Sequence, residues 1–472
     1  MIDRNELLAI ANATGLTGPV VEKDYVLGWL LRGIAAHAEF RERWLFKGGT
    51  CLKKCYFETY RFSEDLDFTL LRPEHVDADF LQAAFGEVVA QIYEEAGIEM
   101  PADRVRFDIY DNPRGNPSCQ GRIYYRSRFQ TGNNMPAVKL DLTADEALLD
   151  GGVWRPVSHA YADAPEGGIE AYCYSYEELF AEKLRALGER TRARDLYDVV
   201  HLHRNSQYSP APQRVLELLA RKCEFKGIAV ITLDAVSAAR ESVIGTWEGM
   251  LRHQLPQLPP FESFWEVLPE VFEWLNSRRP VEHLAPVQIA AGSEVLRPRF
   301  GGLGQVGGRG PVLELVRFAA QSRQLVALEY TNEEGVRRTP TIEPYSLRRS
   351  RAGAVSLAAH DVDAGHIKYY RVDRIRGAKV LERTFTPRHA IELSPASAPV
   401  AAPMQGASGS RRAYFPRIRS RAAAARRTKY IVECHHCHRR FPRATRTVTL
   451  KPHLTRDGYR CSGRRGTIVE VR

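Results

Sequence analysis

Residues 47–67 read KGGTCLKKCYFETYRFSEDLD. Two glycines and a threonine open a helix-like stretch, and two aspartates follow with one leucine between them. In a strand, residues two apart share a face, so Asp65 and Asp67 would project together while Leu66 and Phe68 pack behind. Paired hard oxygen donors suit Mg2+, which takes a few carboxylates plus water and substrate phosphate. AVKLDLT (137–143) offers a third carboxylate, Asp141, in a matching strand pattern with Leu140 and Leu142 facing the other way. Gly48 and Gly49 sit between the short strand WLFKG and the short helix TCLKKCYF, where backbone N–H groups can hold a phosphate. Thr50 would cap that helix or donate to the phosphate. A lone Gly-Gly is an ordinary turn and a lone Asp-x-Asp an ordinary solvated face. Together, with Asp141, they predict a metal-bound triphosphate site.

The rest of the chain sets the context. Its 472 residues exceed what one core accommodates, about 250–300, so two or more domains are expected. No apolar run approaches the ~20 residues that span a bilayer. The N-terminal MIDRNELLAIANATG reads as an amphipathic helix rather than a signal peptide, so a cytoplasmic protein with no membrane partner is expected. The net charge of +10 is uneven: residues 411–472 hold 18 Lys and Arg against 3 acidic residues, a net +15, leaving −5 for the first 410. Such asymmetry marks a polyanion-binding tail on a near-neutral body. Of eight cysteines, Cys51, Cys55, Cys119, Cys173 and Cys223 read as buried reduced thiols; Cys434, Cys437 and Cys461 cluster at the C-terminus.

Hydrophobic periodicity predicts an α+β chain. A small mixed sheet with long helices occupies residues 1–170 and a helical half residues 171–285. The region 286–311, which includes the glycine-rich RPRFGGLGQVGGRGP, reads as a linker. One helix and several short alternating strands over 312–395 predict a small β-barrel. A basic low-complexity linker spans 396–428, and 429–472 forms a last small module.

The combination KGGTCLKKCYFETYRFSEDLDF, with VEKDYVLGWLL (21–31), KLDLT (139–143) and ELFAEKLRALGERTRARDLYD (178–198), resembles the AbiEii/AbiGii-type nucleotidyltransferases of the polymerase-beta-like superfamily. The resemblance covers residues 5–280. It implies a type IV toxin–antitoxin or abortive-infection enzyme with an antitoxin, protein or nucleic acid, as partner. It also implies that Lys47, Gly48, Gly49 and Thr50 bind nucleotide phosphates, with Arg61 and Ser63 touching phosphate or ordering the loop. Asp65, Asp67 and Asp141 become the catalytic and metal-binding carboxylates for Mg2+ or Mn2+. Lys183 contacts the triphosphate or serves as base, and Arg194, Asp195 and Asp198 border the nucleotide site. Read without the resemblance, Glu182-Lys183 and Arg194-Asp195 could equally be salt-bridged helix surface.

Residues 312–395 resemble a WYL domain, a small Sm-like barrel, through RRTPTIEPYSL, SLAAHD and YYRVDRI. The eponymous Trp-Tyr-Leu is replaced by Val355-Ser356-Leu357. Tyr345, Arg371 and Arg374 are the ligand-facing candidates, for nucleic acid or a nucleotide, although Arg374 could instead pair with Asp373 or another nearby carboxylate. In the tail, Cys434 and Cys437 form a CxxC knuckle, and His453 and Cys461 complete a closed tetrahedral set for structural Zn2+. His435, His436 and His438 compete for the fourth place. A segment this polar would draw its folding energy from the metal. Its arginines, interspersed with Tyr430, Phe441 and Tyr459, suit phosphate contact and base stacking.

These features predict an enzyme that moves NMP from an NTP to an acceptor, most simply RNA and in particular a tRNA 3′ end, as a toxin or anti-phage effector. Two alternatives stand beside it. One is transfer to a protein hydroxyl. The other is a nucleic-acid-sensing binding protein built on a degenerate nucleotidyltransferase scaffold.

Overall fold

A computed structural model gives the structure of the chain, describing residues 2–14, 16–58, 60–130, 134–205, 208, 210–277, 284–288, 293–297, 309–394, 430–443, 448–450, 452–455 and 459–471. The expected basic linker 396–428 lies outside the described residues.

The first sheet contains β1 (Trp44–Lys47), β2 (Asp65–Leu70), β3 (Arg106–Asp111), β4 (Pro117–Tyr124), β5 (Ala137–Thr143), β6 (Gly152–Val157) and β7 (Ile169–Tyr174). Their order is β3-β4-β5-β2-β1-β7-β6. β2 runs parallel to β5 and β1 parallel to β7, while the other pairs are antiparallel, so the sheet is mixed. Helices α1 (Arg4–Thr14), α2 (Gly18–Ala36), α3 (Gly48–Cys51) and α4 (Ala78–Ala96) accompany it. α4 shows why such a helix forms here. Asp77 accepts a hydrogen bond from the Phe80 N–H at its start, Gly97 ends it at φ 72°, and Leu81, Phe85, Val88 and Ile92 make its buried stripe. Phe85 and Phe68 both pack on Trp44, which ties α4 to the apolar face of β2. The opposite face of β2 is left for the aspartates.

β6 and β7 had no counterpart in the expected element pattern. β7 reaches Tyr174, so the sheet extends past residue 170 and the helical half begins at Tyr176 with α5 (Tyr176–Arg190). It continues through α6 (Ala193–Arg204), α7 (Pro212–Lys226), α8 (Leu233–Ala238), α9 (Arg240–Leu251), α10 (Glu262–Trp265) and α11 (Leu268–Asn276).

The second sheet holds β8 (Glu294–Leu296), β9 (Gln324–Thr331), β10 (Arg337–Arg338), β11 (Thr341–Arg349), β12 (Val355–Asp361), β13 (His366–Arg371) and β14 (Ile375–Thr384), preceded by α12 (Gly310–Gln321). It curls along β10-β9-β11-β12-β13, with β14 also on β9. Among the described residues β13 and β14 do not pair, so the expected barrel is an open half-barrel. The expected linker 286–311 is also partly structured. Val287 is buried, and β8 pairs with Leu347–Arg349 of β11, covering backbone that would otherwise be a bare sheet edge. This unit does not hang free. Phe318 of α12 belongs to the first core, and buried Arg317 lies 3.8 Å from Glu58.

The C-terminal module is the antiparallel sheet β16-β15-β17, with β15 at Tyr430–Cys434, β16 at Arg440–Arg443 and β17 at Gly466–Val471. It rests on the end of α4. Arg439 pairs with Glu94 at 2.9 Å, and Arg460 pairs with Glu99 while lying 5.7 Å over the Tyr93 ring. No helix among the described residues is long and apolar enough to cross a membrane.

Candidate active site and metal centre

Strand register assembles the carboxylates. β1 sets Lys47 opposite Asp67, and β5 sets Asp141 opposite Asp67 on its other side. Asp65, Asp67 and Asp141 therefore share one half-exposed face, while Leu66, Phe68, Leu140 and Leu142 are buried behind them. Gln120 on β4 sits opposite Asp141 and approaches it at 3.4 Å. Burial, followed by the neighbouring charge of Asp141, pushes the Asp67 carboxyl up to about 6 despite Lys47 and Lys183 nearby. Burial raises Asp65 too, against the pull of Lys139 and Lys23. Two carboxylates that resist ionising together are relieved by a shared cation. On donor chemistry and charge, the three aspartates fit a divalent metal.

The glycine cradle touches this platform. Gly48 has φ +78°, and a β-carbon there would lie 2.0 Å from Asp67 Oδ2. A β-carbon on Gly49 would lie 2.6 Å from Arg61 Nη2 and 3.1 Å from Ser63 Oγ. The first turn of α3 leaves N–H groups without intrahelical acceptors. Thr50 departs from its expected roles. It lies inside α3 rather than at its cap, which is Lys47, and its fully buried hydroxyl donates to the Asp65 carbonyl at 2.5 Å. Thr50 thus fixes the start of β2. Lys47 is buried 3.7 Å from Glu146, and the surrounding carboxylates, Glu146 first, hold its ammonium charged against burial.

Behind the platform, Asp198 is a fully buried hub. It accepts from Arg61 Nε and Nη2 at 2.7 and 2.8 Å, from the Tyr60 hydroxyl, and from Lys183 at 2.8 Å. Burial alone would raise its carboxyl, but Arg61 and Lys183 more than reverse this and keep it well below the usual range. Arg61 also donates to Gln254 at 3.0 Å. Asp195 and Asp198, expected to border the nucleotide site, are both buried in ion pairs. Asp198 has no exposed surface, and Asp195 is buried in a two-point pair with Arg190 at 2.8 Å. Both act through the cations they hold. Glu182, for its part, pairs with Arg185 at 2.8 Å. Arg194 is half-buried, donates to the Met250 carbonyl at 3.3 Å, and feels the charges of Arg61 and Asp65.

With this geometry in place, the chain can be set against known proteins. Residues 29–270 match the family described as nucleotidyl transferase AbiEii toxin of a type IV toxin–antitoxin system. The chain belongs to the AbiEii family. It is a nucleotidyltransferase, and residues 311–380 of this AbiEii protein match the WYL domain. Among solved structures, MenT4, a nucleotidyltransferase toxin from Mycobacterium tuberculosis H37Rv, is 19% identical over 58% of this chain and 90% of its own, with a TM-score of 0.41. JHP933 from Helicobacter pylori is 19% identical over 55% of this chain and 93% of its own, with a TM-score of 0.35. No curated protein matches.

Two further groups in the AbiEii chain were expected to carry chemistry. In the WYL part, Tyr345 is fully buried, donates to Glu343 at 2.7 Å and packs on Phe385 and His389, so it serves the core and faces no ligand. Arg371 pairs with Asp373 and Arg374 with Glu333, both at 2.7 Å, as exposed ion pairs. In the tail, Cys434, Cys437, His453 and Cys461 place one ligand atom each within 4.8 Å of the others. His453 Nε2 lies 3.2 Å from Cys437 Sγ. His435 and His438 turn instead to Thr467 and Glu433. The N–H groups of His436 and Gly463 point at the Cys434 and Cys461 sulfurs, at 3.4 and 3.3 Å, as thiolates in a metal knuckle require. A β-carbon on Gly463 would meet Cys434 Sγ at 2.6 Å. Three sulfurs and an imidazole fit Zn2+. The remaining five cysteines are free and buried, and Cys51, Cys55 and Cys173 bring their sulfurs together beneath the cradle.

The sequence reading missed Tyr60, Gln120 and Gln254. Only Tyr60, adjacent to Arg61 in ETYRFSEDLD, carried any signal, since Gln120 and Gln254 reach the site through pairing and packing alone.

Proposed function

We propose that the protein transfers NMP from an NTP to an RNA hydroxyl, with a tRNA 3′ end as the favoured acceptor, and that this arrests translation as a toxin or anti-phage effector. The observation that carries the reading is the contact between Gly48 and Asp67, which joins phosphate cradle and carboxylate platform into one site. Asp65, Asp67 and Asp141 would hold Mg2+ or Mn2+, which supplies charge neutralisation at the triphosphate and the attacking oxygen. The backbone of residues 48–50 binds the phosphates, and Lys47 and Lys183 offset charge on the departing pyrophosphate. Asp198 holds Lys183 in place, while Arg61 braces the loop over Gly49. In the transfer, the acceptor oxygen bonds the α-phosphorus as the α–β bridge breaks, pyrophosphate leaves with the electron pair, and the acceptor's hydroxyl proton passes to water or to the released pyrophosphate.

The acceptor is argued from the other end of the chain. The +15 tail includes the Cys/His module, and that module is seated on α4 of the nucleotidyltransferase part. A basic, aromatic-bearing surface fixed to the catalytic body suits a structured RNA better than a protein hydroxyl. Incubation with labelled NTPs, Mg2+ and either total RNA or total protein separates the two. Label in RNA supports the reading, and label confined to protein overturns the acceptor.

A further inference from the structure

The helical half and the WYL part meet at a cleft of about 350 Å3, lined among others by His203, Arg204, Glu270, Arg323 and His389. Arg204 closes α6, and Arg323 follows α12. The Arg204 guanidinium lies 4.8 Å over the Phe264 ring and donates from Nη2 to the Ser263 carbonyl at 2.6 Å. Its Nε and Nη1 are buried with no partner, as is Nδ1 of His203. Arg323 makes no side-chain hydrogen bond or ion pair among the described residues, and it holds a left-handed backbone at φ +55°. Such a conformation is strained for a non-glycine residue and persists where the surroundings impose it. Glu270 is the only carboxylate among the lining residues, and it is already engaged by His203 at 3.2 Å. Burial, followed by the neighbouring charge of Arg323, lowers the proton affinity of Arg204, and burial lowers that of Arg323 against the pull of Glu270. Two half-buried, under-paired arginines facing one cleft are an unfavourable arrangement without an anion.

We propose that this cleft binds a small phosphomonoester, with the phosphate held by Arg204, Arg323 and His203, and that the bound anion clamps the WYL part to the nucleotidyltransferase helices. The proposal is independent of the reading of the catalytic site. Guanidinium groups match phosphate oxygens in paired, charge-assisted hydrogen bonds, and 350 Å3 lies at the small-molecule end of pocket sizes. The phosphomonoester could come from a free mononucleotide or from the 5′ end of an oligonucleotide.

The test is thermal unfolding of the full chain with inorganic phosphate, a nucleoside monophosphate or a 5′-phosphorylated dinucleotide, against chloride at matched ionic strength. Wild type should gain a few degrees at about 10 mM phosphate. Monophosphate stronger than dinucleotide identifies a free metabolite, and the reverse order identifies a strand end. Two variants separate this cleft from the catalytic site. Arg204→Met should lose the phosphate shift. Arg323→Gly should also lose it, yet melt higher than wild type in chloride, because it removes both a repelling cation and the left-handed strain. A residue of merely structural importance would melt lower. The proposal is overturned by no phosphate shift in wild type, by an equal shift in both variants, or by a lower chloride Tm for Arg323→Gly.

Discussion

Gly48 and Asp67 are in direct contact: at φ +78°, the position a β-carbon would take on Gly48 is 2.0 Å from Asp67 Oδ2. Two constraints, backbone and space, therefore fall on one residue. Gly48→Ala should cut NMP transfer by about 100-fold or more, as a displacement near 1 Å does at reacting groups. It should also lower the unfolding midpoint. Steady-state rates beside a denaturation curve check both, and a variant with wild-type rate would separate cradle from platform.

Asp198 neutralises Arg61 and Lys183 without touching solvent. Asp198→Asn strands two buried cations and should cost roughly 3–5 kcal/mol of stability. Lys183→Met combined with Asp198→Asn should cost less than the sum of the single changes, because one stranded charge is gone. A double-mutant cycle by urea denaturation reads this coupling.

Asp67 titrates near 6 in the folded chain against 3.8 as its ordinary value. Between these values the folded state binds more protons than the unfolded state, so this group's contribution to stability falls as pH rises from about 4 to about 6. Asp67→Asn should flatten that slope and raise Tm at pH 7. Melting curves across the window, without divalent ions, test the sign.

The Cys434–Cys437–His453–Cys461 set should bind one zinc per chain. Chelation should unfold the tail module while leaving the nucleotidyltransferase part folded, and Cys437→Ser should lower zinc content by elemental analysis. Removal of residues 411–472 should weaken RNA binding and flatten its dependence on salt. An unchanged salt slope would mean that the +15 only solubilises the chain.

Much of this site was legible in the sequence, because it is built from short-range patterns. Alternation put Asp65, Asp67 and Asp141 on one face, and the CxxC spacing pointed to the Cys/His cluster. The failures share a cause as well. Thr50 and Tyr345 were read as ligand-facing, and Asp195 and Asp198 as bordering the nucleotide site, because polar groups in a motif invite that reading. Yet each is buried and already paired, Thr50 with the Asp65 carbonyl, Tyr345 with Glu343, Asp195 with Arg190, and Asp198 with Arg61 and Lys183. β6 and β7 escaped notice because Pro156 and scattered tyrosines hide a period of two. β8 escaped because a three-residue strand takes its stability from the edge of β11, not from its own sequence.

The central claim is that Asp65, Asp67 and Asp141 with the Gly48–Gly49 cradle transfer a nucleotide to RNA. The most direct measurement is transfer of label from α-32P NTPs to purified tRNA with Mg2+, comparing wild type with Asp67→Ala. Label on tRNA with wild type, lost with Asp67→Ala and with EDTA, is the predicted result. Incorporation that survives Asp67→Ala would contradict the assignment of the site, and none on any acceptor with any NTP would contradict the reading of this chain as an active transferase.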